Sequence, residues 1–493
     1  MSKLIKNIII TNTKENGELN MIYDYAIIGG GIIGCSILNK LTRLNKKCVL
    51  LEKYNDVGIG TTKANTALVH AGFDAKPGTM KARFNVEGSQ MMEKLCKQLS
   101  VPYKQKGALV VGNDLEKLNN LLERGKTNGV KGIQIINKSK LRKMVPNLSE
   151  DINYALFAKT AAIISPYELA IALAEESAIN GADVLFNEEL KSASFNNYWM
   201  LKTNDKVITA KWVINCTGYA FNEVSSILNA EQYPIQYRVG EYYLLDSTEI
   251  NLTEYTIFPL PSDKSKGVVV TPTVEGNILI GPNAIDIDNY STATTKEGLQ
   301  EVKANALKVF PGIKFNKNIR NFAGVRSVIG EDFIIERSKV ANNLINIAGI
   351  CSPGLSSAPA IAKYVTKDIL GLNDIERKMT PREPITHTKG LTQKEINKLI
   401  KKDPKYGEII CRCEQVSKAE IIQALNSPLK PTSIDAIKRR TRAGMGRCQG
   451  GFCLIDEINL IARTLNIPME AVVKESKDSN FILGNIKEIG RDK

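Results

Sequence analysis

Two closely spaced pairs of cysteines carry the most specific chemical signal in the chain. One residue separates Cys411 from Cys413, four separate Cys448 from Cys453, and 34 lie between the pairs. Four thiols grouped in this way point to a metal or cluster site, because thiolate ligands that must converge come from short segments. Structural zinc sites usually open with a wider pair, whereas four thiolates also hold a [2Fe-2S] cluster, so a spacing of C-x-C and C-x4-C leans toward iron–sulfur. Gly444, Gly446, Gly450 and Gly451 beside the second pair would let backbone N–H groups approach the sulfurs, which tunes a cluster's potential.

A second constellation is Gly29-Gly30-Gly31-Ile32-Ile33-Gly34, placed between an apolar run at 23–28 and a helix-like run at 35–41. In a dinucleotide fingerprint the first glycine permits the tight turn, the second lets backbone approach a pyrophosphate, and the third lets helix and strand pack closely. Here these are Gly29, Gly31 and Gly34. A further apolar strand ends on Glu52, 18 residues past Gly34, where a carboxylate would accept hydrogen bonds from an adenosine ribose and disfavour a 2′-phosphate. NAD and FAD share this unit. The later strand 211–216, which runs into Thr217-Gly218, brings a second glycine turn to the adenosine. The turn at Gly349, before a helix, suits the electron-rich edge of a flavin, and together these favour FAD.

Strand, glycine turn, helix and strand form a βαβ crossover, which requires a parallel sheet. The segment 233–281 is rich in Tyr, Val, Ile and Thr with turn punctuation and reads as an antiparallel sheet facing the substrate. Apolar content drops over 376–405, where Pro381, Pro384 and Pro404 stand among Lys, Thr and Asp, as in a linker. Short helices are expected at 416–425 and 434–440. The fold class is therefore α/β: a Rossmann-like FAD-binding domain with an antiparallel substrate-binding sheet, followed by a small helical [2Fe-2S] domain. The expected boundaries are an N-terminal extension at 1–20, an oxidoreductase domain at 21–375 with its substrate part at about 221–325, a linker at 376–405, the cluster domain at 406–460 and a tail at 461–493.

At about 150 residues per domain, 493 residues suggest about three units, and 43% apolar with 24% charged residues excludes wholesale disorder. Nine cysteines are too few for a disulfide scaffold and favour a reduced cytoplasmic setting. The five outside the two pairs, Cys35, Cys48, Cys96, Cys216 and Cys351, read as small buried hydrophobes, with Cys351 in a turn facing the flavin. No window reaches about 18 uninterrupted apolar residues, so no transmembrane segment is expected. Residues 1–20 lack a signal-peptide cleavage site. The net charge of +14 favours anionic partners. Lys438-Arg439-Arg440 and Arg442 form a basic run, but no groove-reading helix or stacking aromatics accompany it, so nucleic acid is not expected and charge compensation or partner docking is.

Three segments resemble the D-amino-acid-oxidase-type FAD oxidoreductases: residues 61–72 (Thr61-Thr62-Lys63-Ala64-Asn65 through His70-Ala71-Gly72), Lys76-Pro77-Gly78-Thr79, and Ala348-Gly349-Ile350-Cys351-Ser352-Pro353-Gly354-Leu355. Within them the chain is most similar to the bacterial FAD-dependent glycerol-3-phosphate dehydrogenases of the anaerobic type, with the L-2-hydroxyglutarate dehydrogenases as relatives. The resemblance spans about 23–370 and implies hydride removal from a secondary alcohol. It places Thr61, Thr62, Lys63 and Asn65 along the flavin, with Gly218 and Gly349 in the cofactor turns and Pro353, Gly354 and Leu355 closing the ring end. The turn Ile350-Cys351-Ser352-Pro353 departs from the Gly-Gly-Lys type of the glycerol-3-phosphate enzymes, which leaves the substrate more open than the cofactor.

Of the two histidines, His70 follows the flavin-lining stretch and is the candidate base or flavin contact, while His387 falls in the linker and is expected to be solvated. Arg326 matches the family's Ala-Gly-x-Arg segment, where a planar guanidinium grips the anionic group of a small substrate. Arg238 is a second candidate, and Tyr243 could border the pocket. The C-terminal segment resembles the bacterioferritin-associated-ferredoxin-like [2Fe-2S] domain, which assigns Cys411, Cys413, Cys448 and Cys453 as ligands. Flavin and cluster on one chain imply electrons leaving singly to a partner subunit or carrier, in the cytoplasm or, through that partner, at the inner face of the membrane. The alternatives are oxidation of a 2-hydroxyacid such as L-2-hydroxyglutarate or of an amine, and, from another class, a zinc-stabilised flavoprotein assembly component without turnover.

Overall fold

The computed structural model describes residues 21–261 and 267–484; the expected N-terminal extension lies outside them. The fingerprint strand Ile22–Ile28 sits at the centre of a parallel sheet, with Val207–Asn215 on one side and Cys48–Leu51 on the other. Leu344–Ala348 and Asp183–Leu185 extend the sheet, again in parallel. Cys48–Leu51 and Leu344–Ala348 are buried along their whole length, as parallel strands covered by helices on both faces must be. The fingerprint helix Ile32–Arg43 packs against Pro166–Ile179 and Gly354–Tyr364. Gly88 lets the helix Met80–Leu99 lie backbone to backbone on Gly354–Tyr364: a Cβ there would stand 2.1 Å from the Ser356 carbonyl oxygen.

The second sheet is built on Gln236–Leu245, which pairs antiparallel with Asn318–Val328 from Gln236 to Leu245. Ile278–Gly281, Val269–Pro272 and Thr256–Pro259 continue it. The sheet also takes in Ala108–Gly112, Tyr154–Ala158 and Ile133–Asn137, so the substrate-binding part is not confined to 221–325. The pairing of Thr256–Pro259 with Ala108–Gly112 joins residues 148 positions apart, and a local pattern does not carry that information.

The segment 376–405 is pinned rather than free. Arg377 donates to the Thr42 carbonyl, and Arg382 donates to the Leu99 carbonyl and pairs with Glu175 at 2.8 Å. The segment also contains the helix Gln393–Lys402, opened by a capping box in which Thr392 and Glu395 satisfy each other's backbone N–H groups. His387, expected to be solvated, pairs its Nδ1 with Glu420 at 3.2 Å.

The cluster domain is a short hairpin, Ile409–Cys411 with Val416–Ser417, and the helices Lys418–Leu425, Ile434–Thr441 and Leu454–Leu465 around a small apolar core. The last helix runs past 460, and Val472 is fully buried in that core with Met469 packed against it. The residues beyond 460 are therefore part of the domain, not a tail, as far as the described residues extend.

The two units meet through buried charge. Asp56, 1% exposed, accepts from Arg439 at 2.9 Å and from both Nη atoms of Arg440 at 2.8 and 2.9 Å. Burial pushes the Asp56 carboxyl up, and the Arg440 and Arg439 guanidiniums outweigh it and hold it below the usual carboxylate range. Arg439 reaches on to Glu475 at 2.8 Å, and Glu475 pairs with Lys63. Asp56→Ala should leave two guanidiniums buried without their carboxylate and cost about 3–5 kcal/mol, read as a lower denaturation midpoint; a loss below about 1 kcal/mol would show the contact to be dispensable.

Candidate active site

The parallel sheet ends in a cavity of about 740 Å³ that extends onto the antiparallel sheet. Gly29, Gly31, Glu52, Thr61, Thr62, Asn65, Gly218, Pro353, Gly354 and Leu355 line it, together with His70, Arg238 and Arg326. Gly34 and Gly349 stand behind the wall. A Cβ on Gly34 would lie 2.0 Å from the Gly29 carbonyl oxygen, so glycine there sets how closely strand and helix approach. Gly349 turns the chain at φ +65°. Lys63, expected along the flavin, points instead to Glu475 and a second cavity of about 720 Å³ beside the cluster domain. The turn around Thr61–Lys63 thus has the first cavity on one side and the second on the other, the second also touched by Met445 and Gln449 near the cluster cysteines.

The residues fit a dinucleotide. The helix Ile32–Arg43 starts at Gly31 with no side-chain cap on Gly31 and no acid in its first turn, which leaves N–H donors and the positive helix end for a pyrophosphate. Thr62 takes one of them, accepting from Ile32 N–H at 3.0 Å. Glu52 is braced by the Gly30 and Tyr54 N–H groups at 2.7 and 3.0 Å. Burial raises its pKa, and those two N–H bonds oppose the shift.

At the far end the strands align Asp286, Arg238 and Arg326 in one register. Arg238 is held by Asp286 in a two-pronged pair of 2.6 and 3.0 Å, so its charge is already met. Arg326 differs. Its Nη2 donates to the Val239 and Asn283 carbonyls at 3.3 and 3.0 Å, and among the described residues no carboxylate forms a salt bridge with it. Burial lowers its pKa, as expected for a cation withdrawn from water. Tyr243 lies outside this cavity and packs on Phe315; its neighbour Tyr242 lines the cavity, stacked 4.7 Å from Phe322, because successive strand side chains face opposite ways. The alternation in Val239-Gly240-Glu241-Tyr242 could have identified it.

His70 is 5% exposed and packs 4.5 Å from the Phe73 ring. Its backbone N–H donates to Ser356 Oγ at 2.7 Å. The Gly72 N–H donates to His70 Nδ1 at 3.1 Å, and the Asn85 carboxamide stands 3.3 Å from the same nitrogen, so the ring is held from its Nδ1 side. Asn85, fifteen residues away on a helix, had no signal in the sequence.

In the cluster domain the four sulfurs form two pairs. Cys413 and Cys448 stand 3.5 Å apart, and the buried Cys411 and Cys453 share a thiol hydrogen bond. The Cys411 thiol is drawn down to about 6 by the bond from Cys453, opposed by burial and aided by the Gly444 and Glu414 N–H groups. Phe452 and Gly450 N–H groups likewise bond to Cys448. Two thiolate pairs braced by backbone N–H are the donor set that two bridged irons take. Cys35, Cys48, Cys96 and Cys216 are buried free thiols, and Cys351 lines the first cavity half-buried.

The model of the "FAD dependent oxidoreductase" family matches residues 24–367, and that of the "BFD-like [2Fe-2S] binding domain" matches 409–463. A glycerol 3-phosphate dehydrogenase of Caloramator mitchellensis is 44% identical over 482 residues, covering 94% of this chain and 99% of its own length. A glycerol 3-phosphate oxidase of Mycoplasma genitalium is 30% identical over 355 residues, 69% of this chain and 92% of its own. Among solved structures, the dithionite-reduced L-alpha-glycerophosphate oxidase of Mycoplasma pneumoniae with FAD bound superposes with a TM-score of 0.67 at 26% identity, over 73% of this chain and 97% of that one. Zinc as the occupant of the four cysteines gives way to the [2Fe-2S] cluster. The chain belongs to the FAD dependent oxidoreductase family and carries a BFD-like [2Fe-2S] domain at its C-terminal side.

Proposed function

We propose that this chain oxidises the secondary hydroxyl of sn-glycerol 3-phosphate to the ketone of dihydroxyacetone phosphate and delivers the two electrons, one at a time, to a partner. The observation that carries the reading is Arg326: a half-buried guanidinium lining the cavity with no carboxylate salt bridge among the described residues, and therefore with charge left for an anionic substrate. The similarity to the Caloramator dehydrogenase along nearly the whole chain selects phosphate over carboxylate. When bound, FAD supplies a two-electron hydride acceptor and the cluster a one-electron store.

The residues of the chain then divide the work. Arg326 holds the phosphate by its planar fork, and Arg238, already met by Asp286, shapes the wall beside it. His70 takes the hydroxyl proton, its ring held on the Nδ1 side by the Gly72 N–H and the Asn85 carboxamide. The apolar ring of Phe258 near His70 helps to keep water from the reacting carbon. We place the chain in a reducing cytoplasm; no helix among the described residues is long and apolar enough to cross a membrane.

Anaerobic addition of sn-glycerol 3-phosphate should bleach the flavin band; bleaching by 2-hydroxyglutarate and not by glycerol 3-phosphate would overturn the substrate. Because hydrogen bonds to charged groups contribute about 1.5–3 kcal/mol, Arg326→Ala should raise KM by about tenfold or more with FAD content unchanged, and Arg326→Lys should recover only part. An unaltered KM would remove Arg326 from the site. His70→Asn should lower kcat by about 10²–10⁴ and abolish the acid limb of the pH profile; a retained limb would assign the base elsewhere. Cys413→Ser should lose iron and acid-labile sulfide while flavin bleaching persists.

A further inference from the structure

The four cluster cysteines are unequally covered. Cys411 and Cys453 are buried at 1% and 2% exposure, whereas Cys413 is exposed and Cys448 partly so. The cluster site therefore has one edge turned into the domain and one turned to solvent. At the solvent edge stands Phe452, 84% exposed, although its own backbone N–H bonds to Cys448. One turn further along the chain is Ile455, 58% exposed at the start of the last long helix. Large apolar side chains held in water over a thiolate edge are costly in a free protein and are explained by a contact that covers them. Arg412, between the first two cysteines, is exposed and has no carboxylate partner among the described residues; Arg447, next to Cys448, is exposed and touches Asp246 at 3.2 Å. Arg412 is thus the unpaired cation beside the apolar centre, with Asp456 exposed next to Ile455, and the chain's net charge of +14 makes this face complementary to an acidic protein surface.

We propose that Phe452 and Ile455, with the unpaired Arg412 beside them, form the docking surface for an acidic one-electron carrier protein that collects electrons at the Cys413 and Cys448 edge. The inference rests on the dehydrogenase reading above only for the source of the electrons. Each alcohol oxidised releases two electrons and two protons; the protons pass to water, and two carrier molecules are each reduced by one electron.

The test separates the surface from the substrate. The holoenzyme is reduced anaerobically with dithionite, freed of excess reductant and mixed with one of two soluble acceptors of opposite charge, an acidic blue-copper protein or a basic c-type cytochrome. The acidic acceptor should be reduced at least about tenfold faster at low salt, because steering acts on opposite charges. That advantage should collapse by about 0.5 M NaCl, where screening is nearly complete. Phe452→Ser and, away from the cysteine loop, Ile455→Ser should each slow the transfer by about fivefold or more, as loss of a central apolar anchor does. Ile455→Ser should leave the visible flavin and cluster bands and substrate bleaching unchanged. Calorimetric titration with the oxidised acidic carrier should show weaker binding to both variants. Equal rates for the two acceptors, faster transfer to the basic one, rates insensitive to both substitutions, or transfer only to a quinone in lipid vesicles would overturn the proposal. Failure of glycerol 3-phosphate to bleach the flavin, with the chemically reduced enzyme behaving as expected, would sink the substrate assignment and leave the docking surface standing.

Discussion

A carboxylate withdrawn from water keeps its charge only if cations are brought to it, and the relation between the two halves of this molecule depends on that requirement at Asp56. Asp56 belongs to the oxidoreductase half, four residues after Glu52, and its cations come from the helix Ile434–Thr441 of the cluster half. Neither half could bury its own charges alone. The loop that carries Glu52 on the cavity wall is thus also the loop that seats the iron–sulfur domain. Through Arg439, Glu475 and Lys63 the same network reaches the turn that walls the flavin cavity. Position, rather than a linker of suitable length, keeps the two redox sites adjacent.

The antiparallel sheet solves a different electrostatic problem. It sets two arginines directly opposite each other, a repulsive pairing unless one is neutralised. Asp286, on the next strand in the same register, neutralises Arg238 and leaves Arg326 as the cation of the substrate end. Under the proposed function, the preference of the cavity for an anion would follow from this inequality: a site with both arginines neutralised would bind none, and one with neither neutralised would be destabilised in the free protein.

Much of this was legible in the sequence where the signal is local. The glycine turn, Glu52 and the four cysteines are fixed by spacing along a few residues, and the parallel sheet follows from the crossover they imply. The rest depends on contacts across the chain. Lys438-Arg439-Arg440 reads as charge compensation for the cluster or as a docking run, and only the fold reveals that Arg439 and Arg440 face inward to a carboxylate 383 and 384 residues away. Lys63 was assigned to the flavin by its neighbours in a motif, yet its long side chain follows Glu475. The helix Gln393–Lys402 had a readable start in Thr392 and Glu395, masked by the prolines around it. Tyr242 and Tyr243 differ by one step of strand alternation, and adjacency alone does not reveal which of them faces the core.

Gly324 lies in the strand two residues before Arg326, and a Cβ there would stand 1.9 Å from the Ala64 carbonyl oxygen. Next to it, the Val325 carbonyl accepts from the Thr61 hydroxyl at 2.7 Å. Backbone therefore lies directly on backbone where Gly324 meets Ala64, and one short side-chain bond ties the strand that carries Arg326 to the turn on the cavity wall. The distance from anion grip to flavin wall behaves as a fixed ruler. Relatives on this scaffold that take longer or shorter substrates must then do so by exchanging the side chains mounted on that ruler, because its length is not free to vary.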